Sequence, residues 1–312
     1  LEAKAELEAK DTQYGYTPLI WVAESGHVAC MQLLLEAKAD TTAKDQRGNS
    51  ALIWASRYGH LECVRGLIAA NADIEAKDEC LKHTALIAAI QEGQNARAQL
   101  LIDAKADIEA HHDGKTAVAL AAENGLAEGL RILVKNKANV NARDELRGKT
   151  ALIRASAYGH TPCVEILVDA RADVDARDTD GRTALMCAVI EDNSACVELL
   201  LDARADIEAT DTRGQETALI SAAREGSTAC IQTLVRANAE LNRKDRRGAT
   251  ALLWAVQHPE SAGARFLLEN KADIEVYDGT GRSALMLAAA NGHIDLIETI
   301  IASAVSSAQQ PV

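Results

Sequence analysis

Apolar and polar positions along this chain fall into blocks, and the blocks recur. A Thr or Ser followed by two small or apolar residues stands at Thr17, Ser50, Thr84, Thr116, Thr150, Thr183, Thr217, Thr250 and Ser283, spaced 33, 34, 32, 34, 33, 34, 33 and 33 residues apart. Such a register, kept over 266 residues, marks nine copies of one structural repeat. Each copy reads as two short helices and a turn. The Thr or Ser oxygen suits a helix N-cap, where it accepts from the free N–H groups of the first turn. A first helix of about eight residues then ends near Gly26, Gly59, Gly93, Gly125, Gly159, Gly226 or Gly292. The second helix carries apolar residues at helical spacing, as in Val28, Met31, Leu34 and Leu35.

Between second helix and next cap lies a polar stretch such as Ala72-Asp73-Ile74-Glu75-Ala76-Lys77-Asp78, often closed by Asp-x-x-Gly, as at Asp45 to Gly48 and Asp245 to Gly248. Asp and Gly there are turn residues. A single copy cannot bury both its faces, so neighbours must stack into a continuous core.

These residues resemble the ankyrin repeat. The matches are clearest at Asp45-Gln46-Arg47-Gly48-Asn49-Ser50-Ala51-Leu52, Gly59-His60 and Asn71-Ala72-Asp73-Ile74-Glu75. The resemblance covers residues 11 to 304 as a nine-repeat array. Residues 1–10 match the end of a preceding repeat, and 305–312 form a polar tail expected to be loose. It implies an all-α fold, an ankyrin-like solenoid of stacked helix-turn-helix units with hairpin loops, the fingers, along one edge and inner helices lining a concave groove. Layers packed ~8–10 Å apart would give a stack roughly 70–90 Å long.

The departures are informative. Pro follows the cap only at Pro18, and the family's His three residues after the cap is replaced by Ile20, Ile53, Ile87, Ala119, Ile153, Met186, Ile220, Leu253 and Met286. The family's Gly after the second helix is here Lys38, Asn71, Lys105, Lys137, Arg171, Arg204, Asn238 and Lys271. Either these residues take a strained left-handed backbone, or their basic side chains compensate by facing the helix C-terminus. The third repeat, with Cys80-Leu81-Lys82-His83 in place of a Gly turn, and the eighth, with His258-Pro259 where Gly usually sits, are irregular.

Composition agrees with thin helical layers. Aromatics are 3% of the 312 residues, while alanine occurs 60 times, and Ala permits close helix approach and favours helix. Lys and Arg total 33 against 46 Asp and Glu, a net charge of −13, so nucleic acid is not an expected partner. No apolar stretch reaches the ~18 residues of a membrane span. The start lacks a signal-peptide pattern, although a targeting segment upstream of residue 1 stays open. Seven cysteines without a scaffold spacing point to reduced thiols and an intracellular, cytoplasmic setting.

Candidate chemistry is sparse. Cys30, Cys63, Cys163, Cys196 and Cys230 each lie thirteen residues after a cap. A repeated column sets them a layer apart, so they read as buried packing, whereas Cys80, in a turn, is expected to be the first to react. His27, His60, His160 and His293 match the family's structural His after Gly, and His111-His112-Asp113 reads as a solvated loop. No phosphate loop, zinc-type Cys pair or nucleophile elbow is present, so neither a metal, a cofactor nor an enzyme is expected.

The aromatic residues carry more. Trp21, Trp54 and Trp254 all stand four residues after their caps, and Tyr158 repeats the position of Tyr58. In the resembled family that face is the exposed groove. Other repeats hold Ala88, Leu120, Arg154, Cys187, Ser221 and Leu287 in the Trp column, a variety that argues against a volume-sensitive core, Arg154 most of all. Tyr14 and Tyr16 fall in a finger and Tyr277 just before one. The resulting expectation is a protein-interaction scaffold, monomeric alone or a subunit of a complex. Its partner-binding residues would be Trp21, Trp54, Arg57, Tyr58, Arg154, Tyr158, Trp254 and Tyr277. Finger contacts would come from Tyr14, Tyr16, Arg47, Arg147, Arg182 and Arg247. Trp and Tyr are enriched at interface hot spots. The alternative is an architectural subunit or rigid spacer held along its edges or ends.

Overall fold

The computed structural model describes residues 6–80, 82–259 and 262–308. Leu81 of the third repeat, the first five residues and the last four of the expected tail lie outside them. The chain packs as two compact units, Leu1–Leu146 and Arg147–Val312.

In the first unit, four helix pairs follow one another: α1 (Pro18–Ser25) with α2 (Val28–Glu36), α3 (Ala51–Tyr58) with α4 (Leu61–Ala69), α5 (Ala85–Gln91) with α6 (Asn95–Asp103), and α7 (Ala117–Glu123) with α8 (Ala127–Lys135). Between α6 and α7, β1 (His111–His112) pairs antiparallel with β2 (Lys115–Thr116). The second unit continues with α9 (Ala151–Ala157), α10 (Thr161–Asp169), α11 (Ala184–Ile190), α12 (Ser194–Asp202), α13 (Ala218–Glu225) and α14 (Thr228–Arg236). It closes with α15 (Ala251–Ala255), α16 (Ala262–Glu269), α17 (Ala284–Ala290) and α18 (Ile294–Ala308). The last helix thus runs through Ala308, well into the segment expected to be a loose tail.

The capping residues act as their spacing requires. Thr17 Oγ1 accepts the Ile20 N–H at 3.3 Å, and Ser50, Thr84, Thr116, Thr150, Thr183, Thr217 and Ser283 do the same for the residue three positions on. Thr250 makes no such bond, and the helix it starts is the short α15, five residues long. Behind most caps a pair of large apolar residues enters the core. Leu19/Ile20, Leu52/Ile53 and Leu86/Ile87 in the first unit, and Leu152/Ile153, Leu185/Met186, Leu219/Ile220 and Leu252/Leu253 in the second, are at most 2% exposed. From the second helices, Met31, Leu67, Leu101, Leu133, Leu167, Leu200, Leu234 and Leu267 meet them, all fully buried. The position held by His in the family thus belongs to the apolar core, except at Met286 of the last repeat, 55% exposed.

The residues replacing the family's Gly resolve the sequence ambiguity. Lys38, Asn71, Lys105, Lys137, Arg171, Arg204, Asn238 and Lys271 all have φ between 57° and 74°. Left-handed backbone costs a non-Gly residue about 1–2 kcal/mol. In return, paired N–H groups close the helix end, as Lys38 N–H to Leu35 O at 3.0 Å and Ala39 N–H to Leu34 O at 2.9 Å, the reverse-turn cap that satisfies otherwise orphaned carbonyls.

Side chains also staple one repeat to the next. His60 Nε2 donates to Glu24 O at 2.8 Å, and His258 Nε2 to Arg224 O at 2.8 Å. His258, in the irregular eighth repeat, therefore does the work that His60 does in the second. The acidic columns are structural: Glu8, Glu75 and Glu109 accept the N–H of Asp40, Asp107 and Asn139, and Asp175 and Glu208 accept those of Asp206 and Glu240, at 2.7–2.8 Å.

Candidate partner-binding site

Each finger is organised by the Asp of its turn. Asp45 Oδ1 accepts the N–H groups of Arg47 and Asn49, both at 2.8 Å. Asp245 does so for Arg247 and Ala249, again at 2.8 Å. Asp11 takes the N–H groups of Gln13, Tyr14 and Tyr16. These bonds, led by that from Tyr14, hold its carboxyl below the usual range. Successive fingers are joined through the backbone: Gln46 N–H to Tyr14 O at 3.0 Å and Glu79 N–H to Arg47 O at 2.9 Å in the first unit, Thr179 N–H to Arg147 O at 2.9 Å and Gly279 N–H to Arg247 O at 2.7 Å in the second. The guanidinium groups of Arg47, Arg147 and Arg247 project from this ladder and are exposed, while Arg182 is half-buried.

The tryptophans complete the Asp turns. Trp54 Nε1 donates to Asp45 Oδ2 at 2.9 Å, Trp254 Nε1 to Asp245 Oδ2 at 2.9 Å, and Trp21 Nε1 to Asp11 Oδ2 at 3.2 Å. The spacing of Asp nine or ten residues ahead of each Trp is visible in the sequence, and it is the signal that sequence reasoning missed. Indoles lie along the finger base here instead of interlocking between helices.

That placement corrects three expectations of exposure. Trp54 is 6% exposed, Tyr16 7% and Arg154 8%. Trp54 is covered by Tyr58, stacked at 5.5 Å with 9° between planes, by Tyr16 at 5.6 Å, and by the Arg57 guanidinium 5.2 Å from its ring centre. Tyr16 is enclosed by Trp54 and by Trp21, at 5.0 Å, and burial pushes its hydroxyl pKa up. Ala88, Leu120, Cys187, Ser221 and Leu287 in the same column are also at most 5% exposed. The column is thus mostly buried despite its varied volumes, and the long arginine stem of Arg154 can cover apolar surface much as an aliphatic chain does.

Five aromatic rings therefore form one continuous assembly in the first unit, since Tyr14 joins Tyr16 at 5.4 Å and Trp21 at 6.4 Å. Its outer members are Tyr14, Trp21 and Tyr58, 45%, 43% and 51% exposed. Arg57, half-buried, is committed inward: its guanidinium lies 4.0 Å from Asp78 and 3.5 Å from His83 Nδ1. His83 is buried against Asp78 at 3.5 Å and against the His112 ring at 4.0 Å. The His111-His112 segment, expected as a solvated loop, is instead a short hairpin whose second ring packs on His83. Burial, followed by the neighbouring His112, lowers the His83 pKa to about 4.

Among the described residues the second unit shows no such assembly. Trp254 has the Arg247 guanidinium 5.8 Å from its ring and makes no ring contact with Tyr277, so these two partner-binding candidates stand apart. Tyr277 is 55% exposed in a bridge to Ser283. Tyr158, 58% exposed, stacks on His160 at 6.2 Å.

Of the cysteines, Cys63, Cys163, Cys196 and Cys230 are buried as the column requires, together with Cys187. Burial raises the thiol pKa of Cys63 and Cys196, and takes Cys187 and Cys230 to about 11. Cys30 departs from its column and is exposed, because among the described residues no helix pair covers its side of α2. Among the described residues no three His, Cys, Asp or Glu side chains converge as a metal site, and no helix is long and apolar enough to cross a membrane.

Comparison with known proteins agrees with this geometry. The sequence profile for ankyrin repeats in three copies matches residues 1–78, 76–144, 142–211 and 209–278, and the single ankyrin-repeat profile matches 280–308. No curated protein sequence matches the chain. Among solved structures, the chain is similar to the ankyrin repeat domain of Bcl-3, described as a unique member of the IkappaB protein family, at 28% identity and a TM-score of 0.63, covering 69% of this chain and 98% of that one. With capped helix pairs, Asp-centred fingers and profile matches along nearly its whole length, the chain belongs to the ankyrin-repeat family.

Proposed function

We propose that the chain is a non-catalytic protein-interaction scaffold that engages a partner protein through the groove and finger face of its first unit. The observation that carries this reading is the aromatic assembly. Tyr14, Trp21 and Tyr58 present apolar rings to solvent, while Tyr16, Trp54 and the Asp11 and Asp45 turns hold them from below. Rigid aromatics lose little entropy on binding and dominate interface energetics. None of the matched profiles is that of an enzyme family, and seven free thiols fit a reducing, cytoplasmic setting.

Affinity capture from native lysate tests the reading, comparing wild type with a Trp21→Ala/Tyr58→Ala variant of equal helicity and melting. A protein lost with the variant supports the site. Equal capture by both removes it.

The architectural alternative has its own observation. Leu285, Met286, Ile294, Ile301 and Val305 of the last two helices are 40–70% exposed, an apolar end layer of the kind that stacked repeats usually cover. An Ile294→Glu/Ile301→Glu variant that loses its partners while Trp21→Ala/Tyr58→Ala keeps them would favour that reading.

A further inference from the structure

The chain carries a net charge of −13, yet one groove of about 440 Å³ in the second unit is lined by Arg182, Arg213, Arg224, Arg246, Arg247 and Trp254. The carboxylates sharing this groove are already occupied. Asp245 takes two backbone N–H groups and the Trp254 indole. Asp211 Oδ1 takes the N–H groups of Gly214 and Glu216. Glu216 Oε2 takes Arg224 Nε at 3.0 Å, and Arg213 is held by Asp180 at 2.7 Å.

Three arginines make no ion pair among the described residues. Arg246 Nη2 donates to the Thr212 carbonyl at 3.1 Å, which neutralises no charge. Arg182 and Arg247 have no carboxylate within ion-pair distance among the described residues, and the guanidinium of Arg247 lies over Trp254. The comparable groove of the first unit, about 460 Å³, sets Lys44, Lys77 and Lys82 against Asp73, Glu75, Asp78 and Glu79 and holds no aromatic ring. An excess of arginine, five against three lining carboxylates, beside an indole therefore distinguishes the second-unit groove.

Arg182 stands on the first, and Arg246 and Arg247 together on the third, of three successive fingers joined by Thr212 N–H to Asp180 O at 2.9 Å and Arg246 N–H to Gly214 O at 2.7 Å. Stacked layers lie ~8–10 Å apart. A polyproline-type chain repeats the same side every three residues, a rise of roughly 9 Å. Two layers, ~16–20 Å, therefore match six residues of such a chain, roughly 19 Å.

We propose that this groove docks an extended acidic peptide segment carrying carboxylates six residues apart. One carboxylate meets Arg182 and the other the adjacent Arg246 and Arg247, and an apolar side chain of the peptide rests on Trp254. Arg guanidinium groups suit carboxylates by their forked donors. The inference rests on the protein-interaction reading for its class of partner, but on different residues, so the two can fail separately.

The test uses fluorescence anisotropy on the full chain with a labelled nine-residue probe, Glu-Pro-Ala-Glu-Pro-Ala-Glu-Pro-Leu. Controls are the same peptide with Gln for Glu and a version with its three Glu contiguous. Expected results are binding at least ten-fold tighter for the probe than for the Gln peptide, several-fold tighter than for the contiguous version, and weakening with salt. An Arg182→Gln/Arg247→Gln variant loses at least ten-fold, Trp21→Ala/Tyr58→Ala loses nothing, and Arg246→Gln/Arg247→Gln serves if the first variant melts early. Equal affinity for the Glu and Gln peptides, no saturation up to about 1 mM, or indifference to both arginine variants overturns the proposal. Tighter binding of a single-stranded oligonucleotide, or of a peptide bearing phosphoserine in place of Glu and of that one alone, overturns the carboxylate assignment.

Discussion

Trp54 and Asp45 are joined at the finger base by a 2.9 Å hydrogen bond from indole nitrogen to carboxylate, and Trp254 and Asp245 repeat it at the same distance and the same nine-residue separation. The bond fixes the ring against the turn, so each of these tryptophans is first a part of its own finger. Replacing Trp54 or Trp254 by Phe keeps the ring and removes the donor. Each change is expected to cost about 1 kcal/mol, read as a lower urea midpoint at unchanged m-value. Trp21→Phe should cost less, since its bond is 3.2 Å and the ring is 43% exposed. An equal midpoint for wild type and Trp54→Phe would show that the bond contributes nothing.

Glycine at the end of the first helix answers two demands that can be separated. Gly26 and Gly226 have φ of 76° and 78°, and a methyl group on them would come 2.3 Å from His60 Nδ1 and 2.9 Å from His258 Nδ1. Gly292 has the same backbone, at φ 72°, but open space around it. Gly292→Ala should therefore cost only the backbone strain of about 1–2 kcal/mol. Gly26→Ala should cost more, by displacing His60 from the Glu24 carbonyl. Thermal melts of the two variants decide it, and identical losses would mean that the histidine staple is not strained by the methyl group.

How much of this was legible in sequence follows from what repeats. The caps, the paired helices and the apolar pairs such as Leu52/Ile53 recur every 32 to 34 residues, and recurrence separates signal from chance. The aromatic assembly does not recur. It depends on Tyr16, Trp21, Trp54 and Tyr58 meeting across two repeats, so position within one repeat mapped Trp54 and Tyr16 to the surface when their neighbours bury them. Arg154 misled for a related reason: its charge argued for water, while its stem packs in a mostly buried column. The basic groove was half visible, because Arg182 and Arg247 stood out as finger residues. What distinguishes them is that the nearby carboxylates are occupied, which only three-dimensional partners reveal.

Thiol accessibility gives a test of the layer order. Cys30 and Cys80 are exposed and the other five thiols are buried, so native protein should consume two equivalents of a disulfide-exchange reagent quickly, releasing two of its thiolate, and the rest only on unfolding. Buried Cys187 and Cys230, with pKa raised to about 11, are nearly all protonated at neutral pH and slow by that route too. Cys30→Ser should remove one of the two fast equivalents. A third fast equivalent would show that at least one layer opens in the native state.

His83 links the first unit's stability to pH. Its ring is buried beside His112, with the Arg57 guanidinium 3.5 Å from Nδ1 and only Asp78 favouring protonation. Its pKa therefore falls to about 4 from an ordinary 6.5. Between those values the unfolded chain binds the proton and the folded chain does not, so stability rises with pH across the window. The contribution is complete above about pH 6.5 and is lost as pH falls toward 4, by up to about 3 kcal/mol. Urea titrations at pH 7, 6 and 5 should show the midpoint falling steadily for wild type. In a His83→Asn variant the baseline stability changes but the slope over this window flattens, because the titrating ring is gone. Parallel slopes for the two proteins would place the pH dependence elsewhere and leave the cluster of His83, His112, Arg57 and Asp78 with a packing role alone.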